Sequence, residues 1–138
     1  MNVYLDSSVA LRRLRREAAP FSGWGDWERA YASVLLRLEV LRTIDRMRLA
    51  GVLVDDEVAA LITQAHAIFD AIDFVPLSAS ILSRAEQSFR TALGTLDALH
   101  LSTALGLGEA GGLSLTFLTH DAELALAARS VNFHVEGA

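Results

Sequence analysis

MNVYLDSSVALRRLRR, residues Met1–Arg16, places a short apolar run before a polar triplet and then a helical pattern. Met1–Leu5 is typical of a buried strand, and the side chains of Asp6–Ser8 can cap a helix. A strand that leads directly into a helix is the repeating unit of α/β proteins. The same order recurs later in the chain, where the apolar run Leu113–Leu118 precedes an Ala-rich helical segment.

The intervening chain continues this alternation of strands and helices. A loop is predicted at Ala19–Gly25, and it passes into a short helix through Trp27 and Tyr31. Further strands are predicted at Ile72–Leu77 and Val131–Val135. Helices are predicted at Val34–Ala50, Asp55–Phe69, Ser78–Phe89, Thr95–Leu107 and Asp121–Arg129. Alternating strands and helices predict an α/β three-layer sandwich with a central, mainly parallel sheet.

Length and composition limit the classes of function. A chain of 138 residues is expected to form one domain, residues 1–138. It has no Cys, which excludes thiolate metal sites and thiol nucleophiles. All 12 basic residues are Arg, so mechanisms that need a lysine, such as P-loop phosphate binding or Schiff-base chemistry, are excluded.

Hydropathy and charge order predict the surroundings of the protein. No uncharged run approaches the roughly 20 residues that cross a bilayer. The first acid and the first apolar run precede the arginines, the reverse of the order in a secretory signal, so we expect a cytoplasmic protein. A mean hydropathy of +0.34 predicts that some apolar surface is covered by a second copy or a stable partner.

Four acids lie within or directly after apolar sequence, where an unpaired carboxylate is costly: Asp6, Glu39, Asp97 and Asp121. Asp6 and Asp121 follow predicted strands, and the other two lie near the starts of predicted helices. In parallel sheets, ligands bind beyond the carboxyl ends of the strands, so all four carboxylates are expected to converge there. Oxygen donors of this kind suit Mg²⁺ or Mn²⁺, which would activate a water for hydrolysis of a phosphodiester.

Simpler roles compete with metal binding at each position. Asp6, Asp97 and Asp121 each lie near a predicted helix N-terminus, where Asp is a common cap. Glu39 lies more than one turn inside its helix and cannot cap it, so its alternative role is a salt bridge to Arg42.

Four motifs stand out for their order and spacing: YLDSS at Tyr4–Ser8, SVLLRLEVLR at Ser33–Arg42 with Ser33 six residues before Glu39, TLDALHLSTA at Thr95–Ala104 and FLTHDAELALAA at Phe117–Ala128. Together they resemble the PIN-domain ribonucleases, and in particular the VapC toxins of type II toxin–antitoxin pairs. The resemblance spans nearly the whole chain and is weak at residues 18–32 and 55–69.

The resemblance implies an Mg²⁺- or Mn²⁺-dependent endoribonuclease that is a homodimer and is inhibited by a small antitoxin in its active-site groove. By position, Asp6, Glu39 and Asp97 match the main metal-binding acids of the family, and Asp121 matches its more variable fourth. Ser7 and Thr119 occupy positions from which a hydroxyl could hold water or orient a carboxylate. His120 has no inherited role.

Arginines and one histidine near the acids allow further interpretations. The basic run Arg12–Arg16 is expected beside Asp6, where it could attract RNA phosphates or meet an acidic partner. Arg42 and Arg46 are candidates to bind phosphate or to hold Glu39. His100 lies one turn after Asp97 on the same helix face, where it could donate a hydrogen bond to a site residue or act as a general acid, but we interpret it as a packed core residue and do not place it in the site.

Two other functions remain open at this level. The domain could be a catalytically degenerate relative that only binds protein or RNA, in which case binding would not depend on a metal ion. A phosphatase of the haloacid dehalogenase type ranks last, because residues Asp6–Ser8 read D-S-S and not D-x-D.

Overall fold

The computed structural model describes residues 1–16 and 20–138, and in these residues a five-stranded sheet is packed between helices. The strands are β1 (Asn2–Leu5), β2 (Arg29–Ser33), β3 (Asp73–Val75), β4 (Leu115–Leu118) and β5 (His134–Glu136). The helices are α1 (Ser7–Arg15), α2 (Val34–Leu49), α3 (Asp55–Asp70), α4 (Ala79–Ala85), α5 (Thr95–Gly111) and α6 (Ala122–Ser130).

All four strand pairings are parallel, and the strand order is β3-β2-β1-β4-β5. The chain builds outward from β1 through β2 and β3 on one side, then returns to place β4 and β5 on the other. The β1–β4 boundary is therefore the point where the strand order reverses, which is where open α/β sheets bind ligands. The predicted α/β fold is confirmed.

Alternating side chains of the central strands form two apolar layers. On one face Val3 and Leu5 pack with residues of α1, α2 and α3, including Leu36 and Phe69. On the other face Tyr4 packs with residues of β4, α5 and α6. These two layers are the reason that β1 is buried on both sides, as a central parallel strand must be.

The short helix predicted through Trp27 and Tyr31 is wrong, because residues Arg29–Ser33 form strand β2. The sequence RAYAS has only one residue of high strand propensity, and its strand conformation comes from parallel pairing with β1 and β3 on either side. The other predicted strands and helices are present with shifted ends. Ala19, the first residue of the predicted loop, lies outside the described residues.

Within the described residues, no helix is both long enough and apolar enough to pass through a bilayer.

Candidate active site

The carboxyl edge of the sheet gathers the predicted acids from four different elements. Asp6 directly follows β1, and its backbone N–H extends the ladder by donating to Leu118 O of β4 at 3.1 Å. Glu39 lies in α2, which begins after β2 with Ser33 as its N-cap. Asp97 lies in the first turn of α5, and Asp121 is the N-cap of α6 just after β4.

Asp6 is buried, and one of its carboxylate oxygens is held by two hydroxyl groups. Ser8 Oγ donates to Asp6 Oδ2 at 2.6 Å and Thr119 Oγ1 donates to the same oxygen at 2.9 Å. The other oxygen, Oδ1, lies 3.4 Å from Ser7 Oγ and 3.8 Å from His100 Nε2. The hydroxyl pair therefore orients Asp6 so that Oδ1 faces the other site residues.

Glu39 pairs with His100 and not with an arginine. Its Oε1 lies 2.7 Å from His100 Nε2, whereas Arg42 pairs with Asp45 at 3.2 Å and Arg46 donates to Thr43 Oγ1. The alternative of a Glu39–Arg42 salt bridge is therefore wrong. Because Asp6 Oδ1 and Glu39 Oε1 both approach the same nitrogen atom, these two carboxylates lie close to each other.

Asp97 is the acid whose environment is least explained by structural roles. It does not cap α5, since Gly94 is the N-cap, and it makes no hydrogen bond within residues 1–16 and 20–138. Burial, and then the negative charges of Asp121, Asp6 and Glu39, raise the pKa of Asp97 to about 6, and the charge of His100 opposes this rise. A carboxyl group in this position is stabilised by a cation.

Two of the three aspartates that the sequence offered as helix N-caps, Asp6 and Asp121, do cap a helix. The side chain of Asp6 accepts from the Ser8 backbone N–H at the start of α1. Asp121 Oδ1 accepts from the Leu124 N–H at 3.0 Å, and its side chain is exposed at the edge of the cluster. Asp6 and Asp121 thus combine a cap with a place in the cluster, because a helix N-terminus and the carboxyl end of a strand coincide here.

His100 is a member of this site that the sequence interpretation left out. It is packed and hydrogen-bonded as expected, with 1% of its side chain exposed, but its partners are Tyr4, Ser7 and Glu39. Burial disfavours the charged ring, yet the hydrogen bond to Glu39 and the charges of Asp6, Glu39 and Asp97 outweigh it and raise the pKa of His100. The signal in the sequence was its spacing of one turn from Asp97 on α5.

Ser8 is a second residue whose role the sequence did not show. Besides the bond to Asp6, its Oγ accepts from the backbone N–H of His120 at 2.9 Å. Ser8 therefore ties the start of α1 to the loop between β4 and α6, two segments far apart in the sequence.

The basic run of α1 does not lie beside Asp6, so that expectation is wrong. Arg12, Arg13 and Arg15 are in the last turn of α1, at the opposite end of the helix from its Asp6 cap. With a rise of about 1.5 Å per residue, their Cα atoms lie on the order of 10 Å from that of Asp6 along the helix axis.

The donor chemistry fits a hard divalent cation that keeps part of its hydration shell. The cluster supplies carboxylate oxygens, which Mg²⁺ and Mn²⁺ prefer. In the part of the chain that the structure describes, no three His, Asp or Glu side chains close on one metal-sized point. Mg²⁺ in proteins is usually bound by one or two carboxylates and keeps several waters, so the open arrangement of these acids fits such an ion.

The parallel sheet and the acids beyond its carboxyl edge agree with the fold and the site that the sequence motifs imply. Residues 3–130 match the PIN domain family, and the chain belongs to that family. It is similar to Ribonuclease VapC47 of Mycobacterium tuberculosis (strain CDC 1551 / Oshkosh), with 28% identity over 139 residues that cover 95% of this chain and 93% of that protein.

A solved structure shows the same fold. The chain is similar to a chain in the crystal structure of VapBC2 from Rickettsia felis bound to a DNA fragment from their promoter, with a TM-score of 0.67 and 13% identity. The match covers 99% of this chain and 98% of that chain, so the likeness of fold extends over the whole length.

Proposed function

We propose that residues 1–138 act as a single nuclease domain that hydrolyses RNA phosphodiester bonds with Mg²⁺ or Mn²⁺. In this proposal the ion is held by the four clustered acids, Asp6, Glu39, Asp97 and Asp121, one or two of them bound directly and the others through waters. The observation that carries the proposal is the environment of Asp97, which has no hydrogen-bonding partner among the described residues and is raised in pKa by burial and by the other three carboxylates. A divalent cation would relieve that repulsion.

Three of the acids have distinct parts in this proposal. A bound Mg²⁺ or Mn²⁺ would lower the pKa of a water molecule and neutralise charge on the phosphodiester. Ser8 and Thr119 hold Asp6 Oδ2, whereas Asp6 Oδ1 accepts a longer hydrogen bond of 3.4 Å from Ser7 Oγ and is the oxygen proposed to ligate. Glu39 is held through His100, while Asp97, without a hydrogen bond among the described residues, is available to the ion.

The biological context proposed is that of a toxin controlled by a cognate antitoxin. Support comes from the similarity to Ribonuclease VapC47 and from the fold shared with a chain of the VapBC2 complex. We further propose a cytoplasmic homodimer whose active-site groove is occupied by the antitoxin. Leu38 and Leu96, the sequence neighbours of Glu39 and Asp97, are 56% and 48% exposed, which suits a surface that a protein partner covers.

The experiment is cleavage of RNA by the purified full chain in Mg²⁺ or Mn²⁺, with and without EDTA. We expect cleavage that EDTA abolishes and that Asp6→Asn and Asp97→Asn reduce by at least about 100-fold. Asp70→Asn, an exposed acid at the end of α3, is the control and should retain full activity. Full activity in both site variants would contradict the proposal, and RNA binding without cleavage that is insensitive to EDTA would favour the binding-module alternative.

A further inference from the structure

A chain of hydrogen bonds runs from Ser33, the N-cap of α2, through Tyr4 of β1 and His100 of α5 to Glu39 in α2. The backbone N–H of Ser33 donates to Tyr4 Oη at 3.2 Å, and Tyr4 Oη lies 3.0 Å from His100 Nδ1. His100 Nε2 lies 2.7 Å from Glu39 Oε1. Ser33 caps α2 and Glu39 lies further along the same helix, so β1 and α5 together brace one face of α2.

The chemistry of the partners fixes the direction of these bonds. A carboxylate only accepts, so His100 Nε2 must carry the hydrogen that is donated to Glu39. In the neutral ring Nδ1 is then an acceptor, which Tyr4 satisfies with its O–H while its oxygen accepts from Ser33. In the charged ring Nδ1–H donates to Tyr4 Oη instead, and the bond to Glu39 is unchanged. The donor to Glu39 is thus present in either state.

Tyr4 and His100 are buried, whereas Glu39 is partly exposed. Tyr4 and His100 are 0% and 1% exposed, and the Tyr4 ring stacks on Phe117 with centroids 5.2 Å apart. Glu39 is a longer side chain with 26% of its surface exposed. Fixing such a side chain in one rotamer costs conformational entropy when a metal ion binds. A buried donor that already holds Glu39 in that rotamer lowers this cost.

We propose that His100, backed by Tyr4, is a positioning residue that holds Glu39 beside Asp6 for metal binding, an inference that rests on the proposed function. His100 Nε2 is also 3.3 Å from Ser7 Oγ and 3.8 Å from Asp6 Oδ1, so the nitrogen that binds Glu39 lies near both predicted ligands. Groups that orient metal-ligating side chains typically change metal affinity about 10- to 100-fold when removed.

The test measures Mn²⁺ affinity by electron paramagnetic resonance, without RNA and independently of activity. His100→Asn removes the donor at the Nε2 position and should weaken binding by at least about 10-fold. His100→Gln places an amide N–H near that position and should recover most of the affinity. Tyr4→Phe keeps the ring stack and should weaken binding by a smaller factor. Tyr31→Phe is the control. Tyr31 pairs with Tyr4 across β1 and β2 in the same apolar cluster, but it is not part of the hydrogen-bonded chain from Ser33 to Glu39.

A double-mutant cycle in EDTA tests the contact without any metal. His100→Asn and Glu39→Ala should shift the urea unfolding midpoint non-additively, because each residue is the other's hydrogen-bond partner. Additive shifts overturn the inference, as does Mn²⁺ affinity in His100→Asn within twofold of the unsubstituted chain, or His100→Gln no better than His100→Asn. Non-additive shifts in a chain that binds no Mn²⁺ would support the positioning of Glu39 while contradicting the proposed function.

Discussion

Thr119 Oγ1 donates a 2.9 Å hydrogen bond to Asp6 Oδ2 and so joins the end of β4 to the end of β1. The same Oγ1 accepts from the backbone N–H of Asp121 at 3.0 Å. One threonine hydroxyl therefore links two of the four acids at the point where the strand order of the sheet reverses. The link joins the carboxylate of Asp6 to the backbone of Asp121.

Thr119→Val should weaken both the fold and the site. Valine has nearly the same shape but leaves the buried Asp6 with Ser8 as its remaining donor to Oδ2, and we expect a loss of about 1–3 kcal/mol in free energy of unfolding. RNA cleavage should fall by about 10-fold or more, because Asp6 is no longer held in one orientation. Urea unfolding and a cleavage assay measure the two effects. Thr116→Val, a buried threonine in β4 three residues before Thr119, serves for comparison, and equal behaviour of the two variants would refute a special role for Thr119.

The carboxylate cluster should make the metal-free protein less stable as pH rises. The pKa of Asp97 is about 6 in the folded chain against an ordinary value of 3.8, so the folded state binds more protons between these values and the free energy of unfolding falls as pH increases through this range. The raised pKa of His100 acts in the same direction at higher pH. Asp97→Asn should therefore flatten the decline between about pH 4 and 6 and be more stable than the unsubstituted chain at pH 7.5. Urea unfolding in EDTA across this range tests it, and a variant with an unchanged pH profile would show that the repulsion is absent.

Divalent metal should stabilise the folded chain. Binding to the folded state alone adds about 2.7 kcal/mol to the free energy of unfolding when the free metal concentration is about 100 times Kd. We expect Mg²⁺ or Mn²⁺ to raise the melting temperature, EDTA to reverse this, and Asp97→Asn to abolish most of it. Asp70→Asn should respond like the unsubstituted chain, and a melting temperature that is indifferent to both ions would argue against the site.

Gly137 is required where the end of the described chain packs on the Thr119–His120 segment. Its φ is +98°, and a Cβ there would lie 2.6 Å from Thr119 O. His120 Nδ1 donates to Gly137 O at 2.7 Å. Gly137→Ala should cost about 1–3 kcal/mol for the backbone conformation, with a further loss from the clash.

Gly112→Ala separates the two contributions at Gly137. Gly112 also has a positive φ, +63°, but has open space around the added Cβ. Thermal unfolding should show a larger loss for Gly137→Ala, and cleavage should fall in that variant alone because the clash displaces the segment that carries Thr119 and Asp121. Equal losses in the two variants would mean that the contact with Thr119 O relaxes freely.

Strand β2 shows where local sequence failed. Arg29–Ser33 contains three small residues and one tyrosine, and its neighbours Trp24 and Trp27 suggested a loop that passes into a helix. Two flanking parallel strands satisfy its backbone N–H and C=O groups, and pairing on both sides outweighs its weak intrinsic preference.

His100 shows the same limit within the site. Its spacing from Asp97 is readable from the helical period, but the sequence offers no reason to connect it with Glu39, 61 positions away. The interpretation as a core histidine described its burial correctly and missed its partners.

The sequence by itself determined the alternation of strands and helices, the parallel sheet and the placing of acids at strand and helix ends. These follow from apolar periodicity and capping, which act over a few neighbouring residues. Only the tertiary structure decided that Thr119 holds Asp6 from 113 positions away, that His100 holds Glu39, and that the arginines of α1 lie at the opposite end of that helix from Asp6. Such contacts depend on strand order and helix packing, because these fix the distances between residues that the chain itself leaves far apart.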